Sequence, residues 1–588
     1  MDGQKHIAWI REELGKILPD YMIPGYLMQI PSIPMTRNGK LDKKALPEIE
    51  VKAEHAYIGP RNDIEEQLCQ IFSEVLGVEQ VGIYDNFFEL GGHSLKVTRL
   101  GNLLEERTGV RLPLRQVFMN PTVQGLGEEI VKVDGKGYLS IPRAQEKDFY
   151  PLSLAQESLW TASMLGAEGV MNIYIPFVFK GIDSEVFHKA VKGLFERHQA
   201  LRTRFKMVNG IPMQMVENVE GMNFIYNTID ISTEYGKAED KNAFLADYME
   251  QEGLKPIDLQ KDLMVRGVFA HLAEGLDLFL FVVHHMVFDG ISTQILMEDL
   301  QTLYMAYKEG KENPLPPLEI QYVDYAEWER NRLQGEIKEQ LKQYWRKKLG
   351  TNLPVLNLKT DYERTGAQEG HSITIRLNEE ITEKLQKVMK ETQSTLFTVL
   401  LSSIYALMYR YTGESDIVIG TVFSDRIHKQ LEKQIGYYLN TLPLRTQFDG
   451  EGSYRELIEA VKNTVVEGFQ HSEYPYVEMV KDIETTRNKL RSGLFDIFAQ
   501  LIEYSTEEVY KTGFAGIECD NIIYQEKQSK YDMVFDFVKR GDSVDLCWQY
   551  NNTLFKEETI RRMSKQLEKI IQEIICNIDQ TLVNSTRQ

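Results

Sequence analysis

The sequence predicts a multidomain chain in which a small helical bundle precedes a larger, two-lobed α/β unit. Three observations predict it. Between residues 57 and 133, apolar residues recur at helical spacing in short runs. From 149 to 585, strand-like apolar runs alternate with amphipathic helices, the pattern of mixed sheets under helices. That second stretch is long for one simple domain, so a division into lobes at 149–325 and 326–585 is expected.

Composition narrows the class. The chain has 588 residues, 43% of them hydrophobic and 26% charged, which is ordinary for a globular protein. Its formal net charge is −20 and no basic block stands out, which argues against a nucleic-acid partner. The most apolar run, Leu276 to Val283, is too short to span a bilayer and Asp277 interrupts it. Charged residues interleave with apolar ones at the N-terminus, unlike a signal peptide. Cys69, Cys519, Cys547 and Cys576 show no CxxC and no ligand spacing, as expected for reduced thiols in a cytoplasmic protein. No membrane partner and no oligomer are expected.

The segment 1–56 contains a short helical pattern, Ile7 to Leu18, then Pro19-Asp-Tyr-Met-Ile-Pro24 and Asn38-Gly39-Lys40-Leu41-Asp42. Asn-Gly is a turn signal that would hold Lys40 at a tip. The set resembles the C-terminal end of an adenylation domain. Fewer than 40 residues precede Lys40, too few for a nucleotide site, so Lys40 is assigned no working role and the segment is read as a remnant.

Residues 57–133 follow as the helical bundle. Asp63 to Leu76 places Ile64, Leu68, Ile71, Phe72, Val75 and Leu76 on one face; Asn62 or Asp63 can cap it and Gly77 can stop it. After Ser94, Leu95, Leu100, Leu103 and Leu104 fall on a helical stripe that ends before Gly109. A third helix begins near Pro121-Thr122, with Val123, Leu126 and Ile130 inward. Ser94 stands where a helix N-cap would be, and an isolated serine there is usually only a cap. Gly91-Gly92 leaves the approach open, however, and a helix N-terminus stabilises a phosphate. The string Asp85-Asn-Phe-Phe-Glu-Leu-Gly-Gly-His-Ser94 closely resembles the attachment site of peptidyl carrier domains. The resemblance implies 4′-phosphopantetheine on the Ser94 hydroxyl, added by a separate phosphopantetheinyl transferase. Residues 134–148 carry glycine, proline and charge without periodicity and are read as a linker.

The third segment, 149–585, shows strand-like runs at Tyr174–Phe179, Leu276–Val283, Ile417–Val422 and Val544–Tyr550. Its most informative stretch is His284-His285-Met-Val-Phe-Asp289-Gly290, where a buried strand ends in titratable groups before a helix that Ser292 can cap. Metal binding is a poor fit, since adjacent strand residues point to opposite sides and no third ligand lies nearby. Acid–base work fits better, because a neutral imidazole accepts a proton near neutral pH. Asp289, if it faces inward, needs a cationic partner. Gly290 has no side chain and leaves room for a thioester arm.

Further motifs follow in order. They are Ser153-Leu-Ala-Gln-Glu-Ser-Leu-Trp160, Arg197-His-Gln-Ala-Leu-Arg-Thr-Arg-Phe205, and Tyr322-Val-Asp-Tyr-Ala-Glu-Trp328. Ile435-Gly-Tyr-Tyr-Leu-Asn440-Thr-Leu-Pro-Leu-Arg445 and His471-Ser-Glu-Tyr-Pro475 complete the series. Together with the histidine motif this series resembles the condensation domains of nonribosomal peptide synthetases. The opening motif departs from the pattern, with Glu157-Ser158 in place of the usual residue-plus-Arg pair. The resemblance implies a chloramphenicol-acetyltransferase-like fold with a tunnel between two lobes, the bundle being acyl-carrier-like. It implies that the α-amine of an acceptor on a downstream carrier attacks a carrier-bound donor thioester, with adjacent adenylation domains supplying the amino acids. His285 is then the catalytic histidine and His284 packs. Asp289 pairs with Arg426 of Gly420-Thr-Val-Phe-Ser-Asp-Arg426, and Asn440 sits at the tunnel. A free α-amine titrates near ~8, so orientation plus proton relay is the expected role of His285. Epimerisation, a non-catalytic recruiting domain and acyl transfer from coenzyme A are the competing readings. The opening motif and Asn440 favour condensation over the first. The intact His285 and Asp289-Gly290 oppose the second, and the fused carrier opposes the third. Heterocyclisation would put aspartate where His284 stands.

Overall fold

The computed structural model describes residues 57–583 with short gaps, the longest at 133–140, 165–170, 220–225, 484–490, 503–512 and 521–528. The opening segment, with Lys40, lies outside the described residues. Among the described residues no helix is long and apolar enough to cross a membrane.

Helices α1 (Asp63–Leu76), α2 (Ser94–Thr108) and α3 (Val123–Lys132) form the leading bundle. The first starts where the Asn62 side chain accepts the Glu65 N–H at 2.9 Å. It ends where Gly77 takes φ +76°, a left-handed turn that glycine enters without strain. Leu68, Ile71, Phe72, Val97, Leu100, Leu104, Val123 and Leu126 close a shared core. Helices this short do not persist alone in water, so that apolar stripe is what holds them.

Residues 141–148 are strapped down rather than free. Ile141 is buried and its N–H donates to Gln430 Oε1 at 2.9 Å. The Arg143 Nε donates to the Glu319 carbonyl at 2.7 Å, the Ala144 N–H to Asp324 Oδ1 at 2.8 Å, and Lys147 pairs with Glu327. Glycine, proline and charge without period signal only the absence of helix and strand; they are silent about partners.

The first lobe contains β1 (Tyr150–Pro151), β2 (Asn172–Lys180), β3 (Thr203–Val208), β4 (Ile211–Val216), β5 (Asn227–Asp230), β6 (Val265–Ala273) and β7 (Leu276–His284). The later chain adds β8 (Gly370–Leu377), β9 (Asp416–Ser424), β10 (Leu439–Gln447) and β11 (Ile497–Ile502). It ends with β12 (Cys519–Asp520), β13 (Met533–Arg540) and β14 (Ser543–Asn551). Their sheets run β12-β2-β7-β6-β5, β10-β9-β11-β13-β14-β8 and β1-β4-β3. Both large sheets are mixed: β5–β6, β9–β11 and β11–β13 are parallel and the other neighbours antiparallel.

The central strand β7 explains its own sequence. Phe279, Phe281 and Val283 face one core, and Leu278, Leu280 and Val282 face another. With both faces covered there is no pressure for polar alternation, hence the unbroken apolar run. In the second lobe the Leu396–Thr412 helix is buried almost all round, as its uniformly apolar sequence requires.

The lobes are stitched together by crossing segments. Leu431, Ile435 and Tyr438 pack in the first lobe's core, although they lie between second-lobe strands β9 and β10. Further on, Phe514 enters the same core against Phe179 (5.2 Å between centroids) and Tyr304 (5.7 Å). A turn through Ala515 and Gly516, both at positive φ, follows it. Strand β12 then pairs antiparallel with β2, so the first lobe's sheet is completed by later chain.

Phe514 is fully buried. Phe514→Ala should therefore destabilise the protein by about 3–5 kcal/mol, visible as a lower denaturant midpoint. An unchanged midpoint would show that the crossing segment does not hold the lobes.

Candidate active site

Strand β7 ends at His284, and a short 3-10 turn from His285 to Val287 follows. The turn separates the two imidazoles. His284 is buried, with its N–H on the Met264 carbonyl at 2.8 Å and its Nδ1 accepting the Met286 N–H at 3.1 Å. His285 is half-buried. Its backbone N–H donates to the Met171 carbonyl at 2.8 Å, and its Nδ1 lies 3.0 Å from the Phe288 carbonyl oxygen. A carbonyl only accepts, so Nδ1 carries the proton. In the neutral ring Nε2 is then a lone pair, and it makes no hydrogen bond among the described residues.

Burial keeps both rings neutral. It pulls His285 down to about 4, assisted by the positive charge of Lys530 and opposed by the Phe288 carbonyl and Asp289. It pulls His284 to about 3, with His285 and Lys530 adding to the effect. The Tyr437 ring stands edge-on to His285 at 5.9 Å, and burial raises its phenol well above the usual range.

Asp289 does structural work, as its expected pairing with Arg426 requires. It is fully buried, and Arg426 Nη2 reaches its two oxygens at 2.9 and 3.2 Å. Arg426 Nη1 is taken by the Leu431 and Gln434 carbonyls at 2.7 and 2.6 Å, and its guanidinium lies 4.2 Å from the centre of the Tyr438 ring. One anion thus fixes one cation, and that cation fixes the turn 431–434. The expected Ser292 cap is corrected. The Gly290–Lys308 helix is capped by Asp289, whose Oδ1 accepts the Ser292 N–H at 2.8 Å. Ser292 lies one turn inside, its Oγ donating to Asp289 Oδ1 at 2.7 Å and lying 3.0 Å from the Gly436 carbonyl oxygen. Spacing pointed to the nearest hydroxyl, but a carboxylate at a helix start outcompetes it through the dipole. Gly290 is the first residue of that helix.

Asn440 is spent on the neighbouring loop. Its amide donates to the Ser472 and Tyr474 carbonyls at 2.6 and 2.7 Å and accepts the Tyr476 N–H at 3.1 Å. It shapes the segment from His471 to Pro475 and has no donor left for a substrate. Gly436 has a steric reason: an added Cβ would lie 2.3 Å from the Tyr322 ring.

Residues with no expected role also build the site. Gln156 donates from Nε2 to the Met286 carbonyl at 2.8 Å, clamping the histidine turn to the opening motif. The Tyr322 hydroxyl donates to the Tyr437 carbonyl at 2.6 Å and meets Ser153 Oγ at 2.8 Å. These residues lie inside motifs whose order was legible, but hydrogen-bond partners more than a hundred positions apart leave no local signal. Lys530 lies outside every motif and had none.

Ser94 opens α2, whose first turn contains no acidic residue. A phosphodiester on that serine would sit at a helix N-terminus whose first turn carries no acidic residue, so the position fits 4′-phosphopantetheine. The same helix faces the 429–432 turn, where Asn102 Nδ2 lies 3.5 Å from Glu432 Oε1. Among the described residues no group of three His, Cys, Asp or Glu is placed to hold a metal.

Arg426→Ala leaves Asp289 buried and unpaired and should cost about 3–5 kcal/mol in chemical denaturation; a cost below about 1 kcal/mol would remove the pair from its structural role. The histidines set a pH dependence. The folded imidazoles take protons only near 3 to 4, whereas an unfolded histidine does so near ~6.5. Between those values the unfolded chain binds more protons, so stability is complete above about 6.5 and declines as pH falls towards 4. A His284→Asn/His285→Asn double variant should show a flatter fall in melting temperature over that window.

Comparison with known proteins agrees with this geometry. The condensation-domain family matches residues 146–586, and the phosphopantetheine attachment site family matches residues 66–130. Bacitracin synthase 3 of Bacillus licheniformis is 33% identical over 578 residues, covering 97% of this chain and 9% of that protein. Gramicidin S synthase 2 of Brevibacillus brevis is 33% identical over 577 residues, covering 97% of this chain and 12% of that protein. The chain thus spans about a tenth of the length of these curated relatives. Among solved structures, the X-domain from teicoplanin biosynthesis superposes with a TM-score of 0.66 at 20% identity, covering 76% of this chain and 99% of that one. The first condensation domain of the calcium-dependent antibiotic synthetase, in complex with a substrate analogue, gives 0.62 at 18% identity, covering 74% and 98%. With the family models covering the α/β unit and the bundle in turn, the chain belongs to the condensation-domain family of nonribosomal peptide synthetases, with a phosphopantetheine attachment domain in front.

Proposed function

We propose that this chain forms an amide bond between a carrier-bound donor thioester and the α-amine of an acceptor on a downstream carrier. The observation that carries the reading is the neutral His285 ring, with Nδ1–H committed to Phe288 and Nε2 open. An open lone pair on a rigid turn accepts a hydrogen bond from an amine and aims that amine. Because burial holds the ring near 4, His285 is a poor store for a proton. Its chemistry is to orient the amine and relay the proton it sheds towards the departing sulfur. Ser94 would hold the phosphopantetheine arm, which supplies the thiol that carries the acyl group.

In this reading Asp289, Gly290, Arg426 and Asn440 act by holding the chamber and make no contact with the reacting atoms; His284 supports the turn through Met286. The partners are a downstream acceptor carrier, adenylation domains that load both carriers, and a phosphopantetheinyl transferase. The protein works as a monomer in the cytoplasm.

With both carriers loaded, His285→Ala should lower amide formation by about 100-fold or more while the melting curve stays cooperative. Ser94→Ala should abolish the mass gain produced by a phosphopantetheinyl transferase. Normal turnover by the His285 variant would refute the assignment, and a mass gain surviving Ser94→Ala would refute the attachment site.

A further inference from the structure

The reaction class proposed above places two demands on the chamber that His285 alone does not meet. When an amine attacks a thioester, the nitrogen lone pair forms the C–N bond and the carbonyl π pair moves onto oxygen. The oxygen pair then re-forms C=O, the C–S bond breaks, and the proton lost by nitrogen passes to sulfur. Negative charge appears on oxygen, while the imidazole must be uncharged at the outset to accept the amine's hydrogen bond. A fixed cation beside the imidazole serves both demands, because it opposes protonation of the ring and attracts the developing oxyanion.

Lys530 is such a cation. It comes from the second lobe, just before β13, and its ammonium crosses to the first lobe, where it lies 3.3 Å from Met171 Sδ. Met171 is the residue whose carbonyl holds the His285 N–H. The backbone on either side of Lys530 is pinned. The Ser529 N–H donates to the Gln368 carbonyl at 3.1 Å and its Oγ to the Tyr531 carbonyl at 2.7 Å. The Asp532 N–H donates to the Asp496 carbonyl at 2.9 Å, and Arg364 grips the Asp532 carboxylate. The Tyr531 ring stacks on Phe498, 5.3 Å between centroids and 2° from parallel. A lysine set between two such anchors is positioned, unlike the solvated lysines of the surface.

We propose that Lys530 is the electrostatic partner of His285 in condensation, holding a positive charge on the second-lobe side of the chamber to stabilise the thioester oxygen as it becomes anionic. The chamber then draws one group from each part of the fold: His285 from β7's end, Tyr437 from the crossing segment, and Lys530 from the second lobe. The groups whose charges act on His285 are Lys530 and Asp289, with Asp289 already paired with Arg426, and His285 and Lys530 act in turn on the neighbouring His284. The proposal rests on the condensation reading, and its test separates the two.

The test uses the full chain with Ser94 loaded and a loaded acceptor carrier in trans. Lys530→Met and Lys530→Gln are compared with Lys530→Arg and wild type. The neutral variants should lose about 100-fold in kcat with little change in KM for the acceptor carrier, and arginine should restore most of it. The imidazole resonance of His285, followed by NMR across pH, should titrate higher in the neutral variants than in wild type and return with arginine. Loading of Ser94 and the melting curve report folding for each variant. If wild type makes amide and a folded neutral variant matches its kcat, or if the His285 titration does not move, the proposal is overturned. If wild type makes no amide, the condensation reading itself fails, and the NMR titration still decides whether Lys530 acts on His285.

Discussion

The structure depends on one buried ion pair. Asp289 and Arg426 come from different lobes, and neither charge is tolerable in the interior without the other. Once paired, each has capacity to spare. Asp289 caps the Gly290–Lys308 helix and accepts the Tyr438 N–H at 3.2 Å; Arg426 binds two carbonyls of the 431–434 turn. A single electrostatic requirement therefore fixes the helix that begins behind His285, the crossing segment that presents Tyr437, and the distance between lobes. His285 is held in one place because its neighbours are not free to choose.

Legibility followed the range of the interaction. The α1 boundaries, set by Asn62 and Gly77, were readable because capping is decided within a few residues. The apolar run of β7 was readable because burial on both faces removes alternation. The Asp289–Arg426 pair became legible only through family resemblance, since nothing local marks two residues 137 positions apart as partners. Gln156, Tyr322 and Lys530 act on the histidine turn or its surroundings from afar, and their residue types are unremarkable where they stand. The Ser292 cap failed for the opposite reason: two acceptors stood within three residues, and local pattern does not rank them.

The strap at 141–148 changes how the carrier relates to its partner. Gln430 holds Ile141, and two residues further on Glu432 meets Asn102 of α2. Leu431, between them, gives its carbonyl to Arg426. The contact made by the carrier, the anchor of its tether and the buried ion pair thus share one short turn. The position of the carrier and the integrity of the histidine turn are consequently supported by the same few residues.

The completion of the first lobe's sheet by β12 has a consequence for how the protein is made. A ribosome delivers β2 and β7 long before Phe514 and β12, and at about 5–20 residues per second the gap lasts tens of seconds at the slow end. During that interval the edge of β2 and the pocket between Phe177, Phe179 and Phe187 stand open. An unpaired strand edge beside exposed aromatic rings is a template for wrong partners. The nearest partner of the right shape is then the crossing segment of another copy of this chain. The stitch that joins the finished lobes is therefore also the point at which two nascent copies can exchange strands.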